Sequence, residues 1–156
     1  MALLEIHCTR YPFGMNKTAR QPWQPVSPGF SLKVLRGGSD DDTRVLLLRL
    51  EPGTLVPLHR HAGEVHAYNL AGTRVLIETG EVVGPGGYVY EPPGNVDSWR
   101  AVGEEPTVVL VTARGAMDTF GEGGEVVARS TTGSVTSAYE RFLEGGGEDE
   151  PQDPRR

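Results

Sequence analysis

Cysteine, long apolar runs and clusters of basic residues are all scarce in this chain of 156 residues. The single cysteine, Cys8, cannot form a disulfide within the chain, and low cysteine usage is typical of reducing compartments. No apolar stretch approaches the roughly 20 residues of a membrane-spanning helix, and the first residues lack the basic segment and cleavage site of a signal peptide. We therefore expect a cytoplasmic protein with no membrane partner.

The charge balance excludes another class of partner. Asp and Glu number 21 against 15 Lys and Arg, which gives a net charge of −6. No run of Lys and Arg offers the basic surface that a nucleic-acid backbone requires, so we expect no nucleic-acid partner. A chain of this length is expected to form one domain with a buried core. A small-molecule substrate is the partner class that we predict.

Glycine and proline, by contrast, are abundant, with 21 and 12 residues spread along the chain. They separate short apolar segments, and this pattern predicts an all-β sandwich or barrel. The candidate strands are residues 31–35, 43–50, 55–61, 65–70, 74–78, 82–83, 88–91, 97–102 and 107–113. One short C-terminal helix is predicted at Ser137–Leu143, capped by Ser134 or Thr136 and ended by Gly145.

Composition also divides the chain into three parts. Residues 1–30 are rich in turn signals and are predicted to form an N-terminal arm, anchored on a sheet by Trp23 and Phe30. Residues 31–144 form the predicted β-domain. Residues 145–156 are glycine-rich and charged, with no apolar side chain to offset the entropy of ordering, so they are predicted to be a disordered tail.

Three of the four histidines lie within eight residues of one another, at His59, His61 and His66. On a β-strand His59 and His61 would project to the same face, because successive side chains alternate. His66 follows a short turn signal and could return toward them from the next strand, although Glu64 could take its place. Neutral imidazole is the commonest protein ligand for metals, so the cluster predicts a metal site.

The spacing around these histidines resembles the first sequence motif of the cupin family. It runs Gly53-x5-His59-x-His61-x4-His66-x5-Gly72, where the family pattern has a Glu in place of His66. The resemblance implies an RmlC-like jelly-roll β-barrel with a metal in its mouth. It also implies a homodimer, because small cupins often pair through strand exchange.

A second stretch, Gly86-x5-Pro92-x-Gly94-x2-Asp97, resembles the second cupin motif, which usually ends in His. The first motif has His66 where the family has Glu, and the second has Asp97 where the family has His. These two departures are reciprocal, so the two motifs together still provide three imidazoles and one carboxylate. The resemblance therefore implies one divalent ion bound by His59, His61, His66 and Asp97. A turn role for Asp97, capping the loop before it, is the alternative.

Local sequence resembles one group of cupins more closely. Residues 58–72 and 87–94 are similar to cupin dioxygenases typified by 2,4'-dihydroxyacetophenone dioxygenase, and more distantly to acetylacetone dioxygenase. This resemblance implies Fe(II)- and O₂-dependent cleavage or oxidation of a small ketone. The same ligands would also hold Zn(II), Ni(II) or Mn(II), so a cyclase or isomerase without redox chemistry is an alternative. A ligand-sensing module, like the cupin domain of anti-sigma factors, is another.

Two further side chains are candidates for catalysis. Tyr68 shares a strand face with His66, so its hydroxyl could orient substrate, although a packing role is equally compatible. Glu91 precedes the Pro92-Pro93-Gly94 turn and could hydrogen-bond a ligand imidazole or act as a base, or be an ordinary turn residue. Arg74 is interpreted as a solvated edge-strand residue, with pairing to a substrate carboxylate as the alternative.

Overall fold

A computed structural model describes residues 18–146 as two antiparallel six-stranded sheets around a shared core. Cys8, most of the predicted arm and the tail beyond residue 146 lie outside the described residues. In spatial order, one sheet contains β1 (Gln24–Ser27), β2 (Phe30–Gly38), β3 (Thr43–Leu50), β10 (Thr107–Arg114), β5 (Val65–Ala71) and β8 (Tyr88–Glu91). The other contains β12 (Val126–Ser130), β11 (Met117–Phe120), β4 (Leu55–His61), β9 (Val96–Val102), β6 (Thr73–Leu76) and β7 (Val82–Val83). This is the predicted jelly-roll barrel.

The core lies between the two sheets because alternate residues of the inner strands, such as β3, β5, β9 and β10, are mostly apolar and face inward. Both sheets contribute buried side chains to it: Leu50, Val65, Ala67, Leu76, Val83, Trp99, Ala101, Val109, Val111 and Ala113. The inward-facing positions of β4, β8 and β9 also include polar residues, and these place His59, His61, Glu91 and Asp97 in the same interior.

Gly72 makes the turn between β5 and β6, where the chain crosses from one sheet to the other. Its φ is +66°, in the left-handed region that glycine adopts without strain. A Cβ at this position would also collide with the backbone of Pro106 and Thr107. The closing glycine of the first motif is therefore required both by the backbone conformation and by close packing.

The helix is longer than predicted, spanning Thr132–Glu144 as α1. Its N-cap is Thr131, which forms a reciprocal capping box with Ser134, so the predicted caps at Ser134 and Thr136 were wrong. The first turn contains Gly133, and the following residues are partly β-branched, which weakens the local helix signal. The predicted end at Gly145 is confirmed, since its N–H bonds the Arg141 carbonyl.

Helix α1 packs on β2 and β3 rather than projecting from the barrel. Tyr139 is buried in a second apolar cluster with Leu32, Val34 and Leu46, and its hydroxyl donates to the Pro22 carbonyl oxygen at 2.9 Å. This contact ties the helix to the segment that leads into β1. No helix among residues 18–146 is long and apolar enough to cross a membrane.

Part of the predicted arm belongs to the sheet. Gln24–Ser27 pair with β2 as the edge strand β1, and Phe30 begins β2 and packs against the core. The Trp23 ring covers the Lys33 ammonium, whose Nζ lies 4.6 Å from the ring centroid. Both predicted anchors therefore contact the first sheet.

Candidate metal centre

Two buried imidazoles lie side by side in the barrel interior. His59 and His61 occupy alternate positions near the end of β4, and they are only 4% and 6% exposed. Their ring centroids are 5.0 Å apart, with the ring planes nearly perpendicular. The prediction that both project to the same face is confirmed, and the face is the inner one.

The hydrogen bonding of His59 fixes which of its nitrogens is available to a ligand. Nδ1 lies 2.9 Å from the Pro57 carbonyl oxygen, which can only accept, so Nδ1 carries the hydrogen. In the neutral ring, Nε2 then has a free lone pair. Nε2 is directed at the Asp97 carboxylate, with Oδ1 3.2 Å away. The backbone therefore orients this imidazole as it would a metal ligand.

His61 is held in its neutral form. Burial, with smaller contributions from the nearby His59 and Arg44 charges, lowers the pKa of His61 to about 3. Its Nδ1 is buried and has no hydrogen-bond partner. A neutral imidazole with an unpartnered buried nitrogen is a favourable donor for a metal ion, because metal ligands must be deprotonated.

Glu91 completes the group from the opposite sheet. It ends β8, where it pairs with Val65 and shares the inner face, and it is 8% exposed. One ligand atom from each of His59, His61 and Glu91 can be chosen so that all three lie within 4.8 Å of one another. Asn95 Nδ2 donates to Glu91 Oε1 at 3.0 Å. Burial first, and then the neighbouring Asp97 carboxyl, raise the pKa of Glu91.

The donor set fits a divalent transition-metal ion. Two imidazoles and one carboxylate with open positions suit Fe(II), and the same donors accept Zn(II), Ni(II) or Mn(II). Two polar atoms at the cluster, His61 Nδ1 and Asp97 Oδ1, are buried without hydrogen-bond partners. Orphaned buried polar atoms are costly, and an ion among these side chains would relieve that cost. Within residues 18–146, this is the group of potential ligands close enough to hold an ion.

His66 is placed outside the cluster. The inner face of β5 carries Val65, Ala67 and Asn69, so His66 and Tyr68 point outward. The placement of His66 therefore does not support its interpretation as a metal ligand. Val65 and Ala67 are buried in the core, so the residues that alternate with them, including His66, face outward. His66 Nδ1 instead lies 2.6 Å from the Tyr88 hydroxyl.

The remaining predicted residues divide between the interior and the surface. Tyr68 does share a strand face with His66, but that face is the outer one, where Tyr68 is 43% exposed. The Glu64 carboxylate lies 3.9 Å from His66 Nε2 on the same outer side. Asp97 lies in the interior beside His59, and the structure also brings Glu91 into the cluster as a potential ligand. The sequence feature that could identify Glu91 as a ligand is its position, because it places a carboxylate on an inward-facing site directly before the turn of the second motif.

Arg74 is buried, at 3% exposure, so its interpretation as a solvated edge residue was wrong. Its Nε donates to Asn69 Oδ1 at 3.0 Å, and its guanidinium lies over the Trp99 ring with Cζ 4.8 Å from the centroid. Burial lowers the pKa of Arg74, while the negative charges of Glu91 and Asp97 raise it. The guanidinium therefore shares the interior with the candidate metal ligands.

Residues 14–118 match the sequence model of a cupin family described as the ChrR cupin-like domain. The chain belongs to this family. The match covers β1 to β10. All the candidate metal ligands of this cupin, His59, His61 and Glu91, therefore lie within the matched residues.

Solved structures show the same fold. A cupin-like protein of unknown function from Ralstonia eutropha is 26% identical over 76% of this chain and 75% of its own, with a TM-score of 0.72. The acetylacetone dioxygenase of Acinetobacter johnsonii is 15% identical over 84% of this chain and 93% of its own, with a TM-score of 0.75. At that identity the likeness shows the fold alone.

The anti-sigma protein ChrR of Rhodobacter sphaeroides, solved in complex with SigE, shares the fold over a shorter span. It is 22% identical over 62% of this cupin and 53% of its own chain, with a TM-score of 0.54. The curated proteins contain no match to this cupin.

Proposed function

We propose that this cupin holds one divalent ion between His59, His61 and Glu91 and oxidises or cleaves a small ketone with O₂. The observation that carries the proposal is the convergence of two buried imidazoles and a buried carboxyl group from opposite sheets. This donor combination suits Fe(II) oxygenases, because it leaves positions open for substrate and O₂. Bound Fe(II) would supply the electrons that activate O₂, which closed-shell organic substrates do not supply readily.

The protein's own groups would bind and orient the substrate. His59 is fixed by the Pro57 carbonyl, and Glu91 is fixed by the Asn95 amide. Asp97 lies beside His59 and close enough to Glu91 to raise its pKa, so it is placed to accept a proton from the carbon next to a ketone carbonyl. The low exposure of all these groups would exclude bulk water from the reaction and favours a small substrate.

The experiment is anaerobic reconstitution with Fe(II), followed by measurement of bound metal and of O₂ uptake with a panel of small aryl and alkyl ketones. We expect one ion per chain and ketone-dependent O₂ consumption. Protein loaded with Zn(II) should bind the same ketones without consuming O₂. Failure of the wild-type chain to retain any divalent ion would contradict the proposal.

A sensing role is the second candidate. It is supported by the family match, whose description refers to ChrR, and it would use the same ion to hold an effector without turnover. A third use of the site, isomerisation or cyclisation, would need only a redox-inert ion acting as a Lewis acid. Metal retention without O₂ uptake would favour these roles, and product analysis with the Zn(II) form would separate them. We further propose a cytoplasmic homodimer as the working form.

A further inference from the structure

The guanidinium of Arg74 is fixed in the barrel interior from three directions. It projects from β6 to the inner face, at the position paired with Ala101 of β9. Its Nε donates to Asn69 on the opposite sheet, and Asn69 is itself held by a bond from Nδ2 to the Val83 carbonyl oxygen at 3.1 Å. Trp99 covers one face of the guanidinium. Such fixing pre-organises an arginine for recognition at little further entropic cost.

One donor of this guanidinium is unused. Arg74 Nη2 is buried and has no hydrogen-bond partner. A buried charged donor without a partner is costly, and most buried polar groups in native proteins are satisfied. Asn69, which satisfies Nε, leaves Nη2 free, so the donor is available for a bound molecule.

The Arg74 guanidinium lies close enough to the candidate metal centre to interact with its carboxylates. Trp99, which packs under the guanidinium, is two residues from Asp97 on the inner face of β9, a separation of roughly 7 Å along a strand. The negative charges of Glu91 and Asp97 both act on Arg74. A molecule bound at the ion would therefore be within reach of Nη2 if it extended by a few atoms.

The charge of the interior then determines the class of that molecule. The two positive charges of a divalent ion are offset by the two carboxylates of Glu91 and Asp97. With the ion present, Arg74 shares these two carboxylates with it, so this group of charges keeps one unbalanced positive charge, which a low dielectric makes costly. A ligand with one negative charge would offset the charge of Arg74, and a neutral ligand would not.

We infer that Arg74 is a specificity-determining residue which donates from Nη2 to the anionic oxygen of a small organic monoanion, either a carboxylate or an enolate, bound beside the ion. This inference rests on the proposed function, because the charge balance requires the ion to be present. It narrows the substrate class from small ketones in general to those that carry or form a negatively charged oxygen.

The first experiment compares charged and neutral probes of the same shape on the wild-type chain loaded with Zn(II). Acetate against acetamide tests a carboxylate, and the enolate of cyclohexane-1,3-dione against cyclohexanone tests an enolate, each by calorimetric titration. We expect at least one anion to bind about 10-fold or more tightly than its neutral partner. Equal binding in both pairs overturns the inference, whatever the variants do.

The second experiment removes the charge. Arg74→Gln should weaken binding of the preferred anion by about 10- to 100-fold and leave binding of the neutral probe unchanged. Arg74→Lys should restore part of the loss, and the exposed Arg114→Gln serves as the matched control. If Arg74→Gln does not fold, Arg74→Lys and the wild-type probe comparison still decide. Unchanged anion affinity in either folded Arg74 variant overturns the inference.

Metal binding is measured first and without any organic anion, so the two possible failures are separable. If the wild-type chain retains no ion, both the proposed function and the inference fail. If the wild-type and Arg74→Gln chains bind the ion equally well but show no preference for either anion, the inference alone fails.

Discussion

Asp97 Oδ1 lies 3.2 Å from His59 Nε2, and the two residues are paired across β9 and β4. In the neutral form of His59 the hydrogen is on Nδ1, so two lone-pair atoms face each other across this gap. The contact meets the distance of an ion pair, yet Asp97 Oδ1 has no hydrogen bond. Two facing acceptors repel unless a proton or a cation lies between or beside them. We therefore expect metal binding to change the contact between Asp97 and His59 more than other contacts in the interior.

The first prediction concerns the two imidazoles. Replacing His59 and His61 together by Ala should abolish retention of a divalent ion, measured by elemental analysis after gel filtration. The matched control is His66→Ala, because His66 lies on the outer face with Tyr88. It should retain the full complement of metal. Loss of metal in the control would place His66 back among the ligands.

The second prediction separates the two carboxylates. Glu91→Gln removes one donor of the group that can converge on an ion, and it should weaken metal affinity by about 10- to 100-fold or more, the size of effect seen for residues around metal sites. Asp97→Asn keeps the proposed ligands and should weaken affinity less. Competition titration with a chromogenic chelator measures both. The reverse order would make Asp97 the ligand and Glu91 its neighbour.

The third prediction is a pH dependence of stability in metal-free protein. Burial and Asp97 raise the pKa of Glu91 to about 8, so the folded chain keeps a proton that the unfolded chain releases above about pH 4.5. The free energy of unfolding should therefore fall as pH rises, by about 1 kcal/mol between pH 6.5 and 8. His61 acts in the opposite direction, but only below the pKa of about 6.5 that it has when unfolded.

Urea unfolding in the presence of a chelator measures this slope, and Glu91→Gln should flatten it. Metal affinity should change in the opposite sense, rising over the same pH range as Glu91 loses its proton. A stability that rises with pH between 6.5 and 8 would show that another group dominates the titration.

The fourth prediction concerns the cap of α1. Thr131→Ala removes the side chain that accepts from the Ser134 N–H at 3.0 Å and should destabilise the protein by about 1 kcal/mol. Thr131→Ser keeps the hydroxyl and is the control. Neither change should alter metal content, because Thr131 is not one of the candidate ligands.

The fifth prediction tests the domain boundary. Deleting residues 147–156 should leave stability and metal retention unchanged, because their composition offers nothing apolar to pack. Truncation before Tyr139 should be strongly destabilising, since that ring fills the cluster between α1 and the sheet. Equal destabilisation by the two truncations would show that the tail is packed against the domain.

Strands with regular patterning were predictable from sequence. Thr43–Leu50, Leu55–His61 and Tyr88–Glu91 have the predicted bounds, because apolar segments bounded by Gly and Pro leave few alternatives. Gln24–Ser27, Met117–Phe120 and Val126–Ser130 were not predicted. They are short strands with few buried residues, and their pairing is decided by neighbouring strands rather than by their own pattern.

The site was predictable only in part, for the same reason. His59 and His61 share a strand with a clear parity, so their convergence follows from local sequence. The parity of β5 is ambiguous, because Val65 and Ala67 alternate with Tyr68 and Leu70, and either set could face inward. Packing against the opposite sheet selected the smaller side chains. The burial of Arg74 likewise depends on Asn69, a contact that local pattern does not reveal.

The position of Trp99 gives the protein an internal optical reporter. The chain has two tryptophans: Trp99 lies in the core against the Arg74 guanidinium, whereas Trp23 lies against Lys33. In a Trp23→Phe background, the fluorescence of Trp99 alone should be quenched by a paramagnetic ion entering the barrel and be affected little by Zn(II). Stopped-flow recording of that signal would time the arrival of the ion, and then of an anion at Arg74, in the unlabelled protein.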